Sequence, residues 1–148
     1  KTMKLFFIFV TFCFMEFMAW FTHKFIMHGF MWRWHKSHHS VHKQVFEKND
    51  LFAVVFALVS AGLIVLSSEK IIPSIFFEIG IGVCLYGVAY FLVHDVFVHQ
   101  RIKWLRKTNI KYFKAMRKAH KIHHKTLTKD GGEAFGFLFV PKKYLRKV

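Results

Sequence analysis

Ten of the eleven histidines fall into four short clusters: HKFIMH (His23, His28), HKSHH (His35, His38, His39), HDVFVH (His94, His99) and HKIHH (His120, His123, His124). One plan, H-x4-H followed by H-x2-H-H, is used twice, with a spacer of 6 residues in the first copy and 20 in the second. Neutral imidazole is a ligand for iron, zinc, copper and nickel. Ten rings are too many for one ion and about right for two. In the triplets the histidines stand at i, i+3 and i+4, on one face of a helix. In the pairs, a separation of five leaves the rings about 140° apart on an ordinary helix. Either the helix is distorted there, for example by a π-bulge, or the two members of a pair serve different ions. Zinc usually takes three or four protein ligands, whereas ten imidazoles shared by two ions give high coordination with an open position, which suits iron and dioxygen better. Asp95 adjoins His94 and could orient its ring through a carboxylate hydrogen bond, the plain alternative being a solvated acid among basic neighbours. His42 lacks a partner spacing and reads as a bystander.

The elements that carry these clusters follow from composition. The 148 residues are 54% hydrophobic yet carry a net charge of +15. This combination suits a membrane protein whose apolar and basic residues are segregated along one all-α, multi-span domain covering residues 1–148. Spans are predicted at about 5–21, 51–66 and 71–93. Lys1 and Lys4 before an apolar run resemble a signal peptide, but no small-x-small cleavage site follows, so the run is expected to stay as the first span. Glu16 and Glu78 are costly inside spans and should face protein or water. Glu16 is expected to be protonated or hydrogen-bonded to a neighbouring helix, the sharper alternative being support for a histidine or metal. Asn49 and Asp50 are placed to cap the second span. Gly62, Gly80, Gly82 and Gly87 offer small surfaces for helix packing. Ser67–Lys70 reads as a turn that makes spans two and three antiparallel neighbours, with Pro73 in the first turn of the third. Cys13 and Cys84 lie in apolar runs with no partner spacing. GIGVCLYG lacks dinucleotide-loop spacing. Phe135 to Val140 is too short to span and either dips into the bilayer or packs on the metal-binding region.

Three crossings bring both histidine-rich regions, 23–48 and 94–148, to one side as a cap built on helix extensions. Those regions hold 20 of the 23 Lys and Arg residues, so the positive-inside rule puts them in the cytoplasm. Attachment to three spans makes this basic surface a better match for lipid headgroups than for nucleic acid.

The stretches HKFIMHGFMWRWHKSHH, FEKNDLFAVVFA, FLVHDVFVHQR and AHKIHH, with the closing FGFLF and Pro141, resemble the membrane-bound di-iron fatty acid hydroxylase superfamily, and within it the bacterial β-carotene 3-hydroxylases. The likeness runs from about Phe21 to Pro141. It implies a non-haem di-iron monooxygenase that uses O2 to hydroxylate C3 of β-ionone rings, taking β-carotene to zeaxanthin through β-cryptoxanthin. The ten boxed histidines would be the ligands of two iron ions. A ferredoxin-type donor with its reductase would supply electrons, and the basic face suits an acidic carrier. Departures from the family pattern are His42 and the bulky Val96-Phe97 pair, which bears on substrate preference. Tyr90, one helical turn before His94, is placed at the substrate cavity. The rival readings are a fatty-acyl or sterol hydroxylase or desaturase of the same superfamily, a non-catalytic membrane metal-binding or transport protein, and a basic membrane-surface adaptor.

Overall fold

The computed structural model describes residues 2–40, 46–102 and 107–146; His42 lies outside them. Among the described residues every regular element is helical. Three helices are long and apolar enough to cross a membrane: Thr2–Phe30, Asp50–Ser68 and Ile75–Val98. The first is α1 (Thr2–Phe21) continued by a π-helical segment (Thr22–Phe30), the second is α3 (Asp50–Ser68), and the third is α4 (Ile75–Tyr90) continued by a second π-helical segment (Phe91–Val98). Phe6, Phe9, Phe14, Val55, Leu58 and Leu85 are exposed on their outer faces. Such faces match a bilayer, where lipid replaces the water that would penalise them.

The spans pack as a layer with α4 between α1 and α3. Two glycines make this possible, on opposite sides of α4. A Cβ on Gly80 would lie 2.7 Å from Ile64 Cγ1 and 3.1 Å from Ser60 O of α3. One on Gly82 would lie 2.6 Å from Thr11 Cβ and 2.8 Å from Ile8 O of α1. Ser60 Oγ uses the close approach to donate to Gly80 O at 2.9 Å. Gly62 and Gly87 differ from expectation: nothing stands within 4 Å of a Cβ at either, so neither mediates helix contact. With α4 bridging them, α1 and α3 stay apart and leave a cavity between them.

The link between α3 and α4 is longer than the sequence suggests. Helix α3 closes with Ile71 N–H donating to Leu66 O (2.9 Å) and Lys70 N–H to Ser67 O (3.1 Å), with Lys70 at φ 58°. Pro73 therefore precedes α4 instead of sitting in its first turn. Its carbonyl accepts from Phe76 N–H and Ser67 Oγ.

Beyond the spans lie α2 (Trp32–His35), a 3-10 turn (Lys36–His39), α5 (Lys111–His123) and α6 (Lys142–Leu145). Ala115, Met116 and Ala119 of α5 form a small core with Val140 and Tyr144. The opposite face of α5 carries exposed Lys111, Lys114 and Lys121. Arg117 ties α5 to the second π-helical segment, donating Nε and Nη2 to Phe97 O at 3.0 and 2.9 Å.

Residues 135–140 form a strap that packs inward, the second of the two expected placements. Glu16 accepts the N–H groups of Phe137 (2.9 Å), Leu138 (3.0 Å) and Phe139 (2.9 Å), and Tyr86 OH at 2.7 Å. Tyr112 of α5 holds the other edge by donating to Leu138 O. Glu16 thus meets a neighbouring helix, as expected, and also the strap. Glu78 is paired differently, with Lys4 Nζ at 3.1 Å.

Candidate metal centre

The backbone resolves the spacing problem of the H-x4-H pairs. His23 and His28 lie in the first π-helical segment, and His94 lies in the second with His99 capping it, so the i→i+5 repeat brings residues five apart to one side. His99 N–H donates to His94 O at 2.8 Å, and Met31 N–H to Ile26 O at 3.0 Å. Ring centroids are 5.3 Å apart for His23 and His28 and 4.4 Å apart for His94 and His99. Gly29, at φ −105° and ψ −123°, breaks the first segment and lets α2 turn back over it.

The rings form two clusters whose ligand atoms converge. His23, His28, His35, His39 and His123 make the first; His38, His94, His99 and His120 make the second. His124 Nε2 joins the second at 2.8 Å from His120 Nε2. Each H-x4-H pair stays together. Each triplet gives its outer i, i+4 histidines to its own copy's cluster and its middle-position histidine, His38 or His123, to the other. The two sequence copies are interlocked, and the clusters abut, with His39 stacked on His124 at 4.7 Å.

The rings point Nε2 inward. In the first cluster, His23 and His39 Nε2 each lie 3.1 Å from His35 Nε2, and His28 Nε2 lies 3.3 Å from His123 Nε2. In the second, His120 Nε2 is 2.7 Å from His99 Nε2, and His38 Nε2 is 3.3 Å from His94 Nε2. Most Nδ1 atoms point outward to oxygen. His23 donates to Phe135 O (3.0 Å), His28 to Lys129 O (2.9 Å), His39 to Thr126 O (2.8 Å) and His123 to Glu133 O (2.9 Å). His35 Nδ1 meets Asn49 Oδ1 at 2.7 Å, and His38 Nδ1 meets Glu47 Oε2 at 3.0 Å.

A carbonyl only accepts, so each of these Nδ1 atoms carries the ring proton and leaves Nε2 a bare lone pair. Facing lone pairs repel unless a cation lies between them. Ligands at right angles on ~2.1 Å metal–imidazole bonds lie about 3 Å apart, the spacing seen here. The residues present therefore fit a metal ion in each cluster.

Protonation does not offer a substitute. Burial, with further depression from neighbouring imidazoles, lowers His39 to about 4, His123 and His124 to about 3 and His35 to about 2. Burial also holds His38, His99 and His120 well below the usual imidazole range. Neutral rings are the ligating form.

The surroundings contain residues that spacing did not single out. Asn49 does not cap α3 with its side chain, because that side chain is committed to His35. Asp50 Oδ2 accepts Glu47 N–H at 2.9 Å and joins Glu47 on Arg101. Asp95 Oδ2 stands 3.5 Å from His94 Nδ1, which has no hydrogen-bond partner, and Asp95 Oδ1 pairs with Arg101 Nε at 3.2 Å. Phe135 packs on His23, His28 and His123. The only signal for Glu47 and Asn49 was an acid–amide run, EKND, in an otherwise basic stretch.

A cavity of about 560 Å³ runs between α1, α3 and α4 up to the clusters. Ala53, Ala57 and Ala61 of α3 and Gly87 of α4 line its shaft, and His23, His35, His38, His94 and His120 border its head. Tyr90 lines it too, stacked on His94 at 4.6 Å and tilted against Phe137 at 4.3 Å.

Three apolar helices capped by two convergent imidazole clusters define a membrane-associated protein able to hold metal. The fatty acid hydroxylase family profile matches residues 8–142, and the chain belongs to that family, which makes it a hydroxylase. It is similar to the beta-carotene hydroxylase of Pseudescherichia vulneris, with 47% identity over 130 residues, covering 86% of this chain and 72% of the relative. A beta-carotene hydroxylase of Pantoea ananas is 46% identical over 134 residues, 90% of this chain and 75% of the relative. Beta-carotene 3-hydroxylase 2, chloroplastic, of Arabidopsis thaliana is 34% identical over 131 residues, 87% of this chain and 43% of the relative. No solved structure matches the chain.

Proposed function

We propose that the chain, acting as a single unit over residues 1–148, is a carotenoid hydroxylase that converts β-carotene to zeaxanthin through β-cryptoxanthin. The names of its relatives support the substrate class. The observation that carries the reading is the apolar cavity, which has both histidine clusters at its head. An apolar substrate can enter such a shaft from lipid and present a terminal ring to the clusters without crossing water. The ten boxed histidines hold two iron ions, His23, His28, His35, His39 and His123 one, His38, His94, His99, His120 and His124 the other. When bound, the irons supply reductive activation of O2, one atom entering the C3–H bond of a β-ionone ring and the other leaving as water.

The protein's own contribution is positional. Phe135 and Phe137 close the strap over the cavity head and keep water from the clusters. Tyr90 presents an aromatic face to the ring-binding end, beside His94. Outward backbone carbonyls fix the Nδ1 protons of His23, His28, His39 and His123 so that Nε2 remains a ligand. Electrons come from a ferredoxin-type donor and its reductase, for which the exposed lysines of α5, on the helix that carries His120, His123 and His124, offer an acidic carrier a landing face. The clusters lie on the cytoplasmic side of the bacterial inner membrane, where the basic regions belong.

The test is pigment analysis of a β-carotene-producing host expressing the chain. Accumulation of β-cryptoxanthin and zeaxanthin, abolished by His38→Ala or His123→Ala, is the expected outcome. Unchanged β-carotene with altered acyl lipids or sterols would move the substrate to the related hydroxylases and desaturases.

A further inference from the structure

The two clusters differ in what stands behind their ligands. In the first, all five Nδ1 atoms face neutral oxygens: the carbonyls of Phe135, Lys129, Thr126 and Glu133, and the amide of Asn49. In the second, His38 is backed by the Glu47 carboxylate at 3.0 Å, with both side chains buried. Asp95 Oδ2 is 3.5 Å from His94 Nδ1. Arg101 fastens this arrangement. Its guanidinium reaches Glu47 Oε1 at 2.7 Å, Asp50 Oδ1 at 3.0 Å and Asp95 Oδ1 at 3.2 Å.

We propose that the two metal positions are inequivalent, and that Glu47, held by Arg101, is the positioning residue that makes the second position the tighter one. A carboxylate accepting the Nδ1 proton raises the electron density at Nε2 and fixes the ring. A carboxylate this near the ligand set also favours a cation, and the more so the higher its charge. The second position therefore binds a divalent ion more tightly than the first and has the lower reduction potential. The inference rests on the metal-binding part of the proposed function and on none of its substrate chemistry.

The experiment is calorimetric titration of the metal-stripped full chain in detergent with Co2+, followed by Mössbauer spectroscopy of the iron-loaded chain. The native chain is expected to bind in two unequal steps and to show two distinct iron signals. Glu47→Gln keeps shape and removes charge. It should weaken the tighter step about 10–100-fold, leave the weaker one in place and move one iron signal only. Asn49→Asp adds a carboxylate behind His35 and should tighten the weaker step, an outcome that stays readable if Glu47→Gln misfolds. Two equal steps in the native chain, or equal weakening of both by Glu47→Gln, would overturn the inequivalence alone. Absence of Co2+ binding would overturn the metal-binding reading with it.

Discussion

Replacing Glu16 by Gln tests how a span supports the centre. The carboxylate accepts four donors. Phe137 and Phe139 N–H reach Oε1, and Leu138 N–H and Tyr86 OH reach Oε2. An amide has one oxygen. Placed at the Oε1 position it keeps two backbone donors, its NH2 then faces Leu138 N–H, and Tyr86 OH can turn to accept. The reverse placement would orphan two backbone donors, so the first is preferred. One part-buried N–H left without an acceptor costs about 1–3 kcal/mol, and the surviving bonds lose their charge assistance. That cost falls on the strap, which presents Phe135 O to His23 Nδ1 and Phe137 to Tyr90 and His94. Amide hydrogen exchange at 137–139 should speed up about 5- to 150-fold in detergent, the same free energy expressed as opening. Metal content should fall as His23 loses its support. Unchanged exchange at these three amides in a folded Glu16→Gln protein would refute the anchoring role.

The two α4 glycines and their counterparts give a paired expectation. Gly82→Ala forces a Cβ against Thr11 and the Ile8 carbonyl and should destabilise the fold by about 1–3 kcal/mol, whereas Gly62→Ala, with open space around it, should be neutral or stabilising by up to about 1 kcal/mol, both read from thermal unfolding in detergent. Gly87→Leu meets nothing at its Cβ but borders the cavity, so it should leave folding and metal content intact while suppressing carotenoid turnover in the host assay. The metal-stripped chain should lose stability as pH falls below about 6.5. His35, His39, His123 and His124 stay neutral in the fold down to about 4 or lower, while the unfolded chain takes up protons. Their contribution is complete above the unfolded value of about 6.5, has fallen by about 2 kcal/mol each at pH 5, and is fully lost once pH has fallen through the folded values. A melting temperature flat between pH 7 and 5 would contradict it.

The sequence carried the histidine chemistry because five-residue separations do not fit one face of an α-helix. Two explanations were open, and the π-helical backbone of both pairs selects distortion, with both members of a pair in one cluster. The exchange of His38 and His123 between copies was not legible, since it depends on how the Lys36–His39 turn and α5 pack against each other's clusters. Glu47 and Asn49 were hidden for a related reason. A residue that supports a ligand from outside has no spacing rule, and Asn49 before an apolar run reads most simply as a helix cap. Glu16 was visible as a polar group needing partners, but those partners sit 70 and 121–123 residues away. Pro73 falls before α4 because the closing turn of α3 extends through Lys70 and Ile71, leaving too little chain for α4 to start there.

The most direct measurement is the number of tightly held metal ions per chain, taken on protein purified gently in detergent and repeated for two variants. Two irons are expected in the native chain. One should be lost from His23→Ala/His39→Ala and the other from His94→Ala/His99→Ala, because each variant strips two ligands from a single cluster. One ion per native chain, or loss of both ions from either double variant, would contradict the two interlocked five-histidine sites.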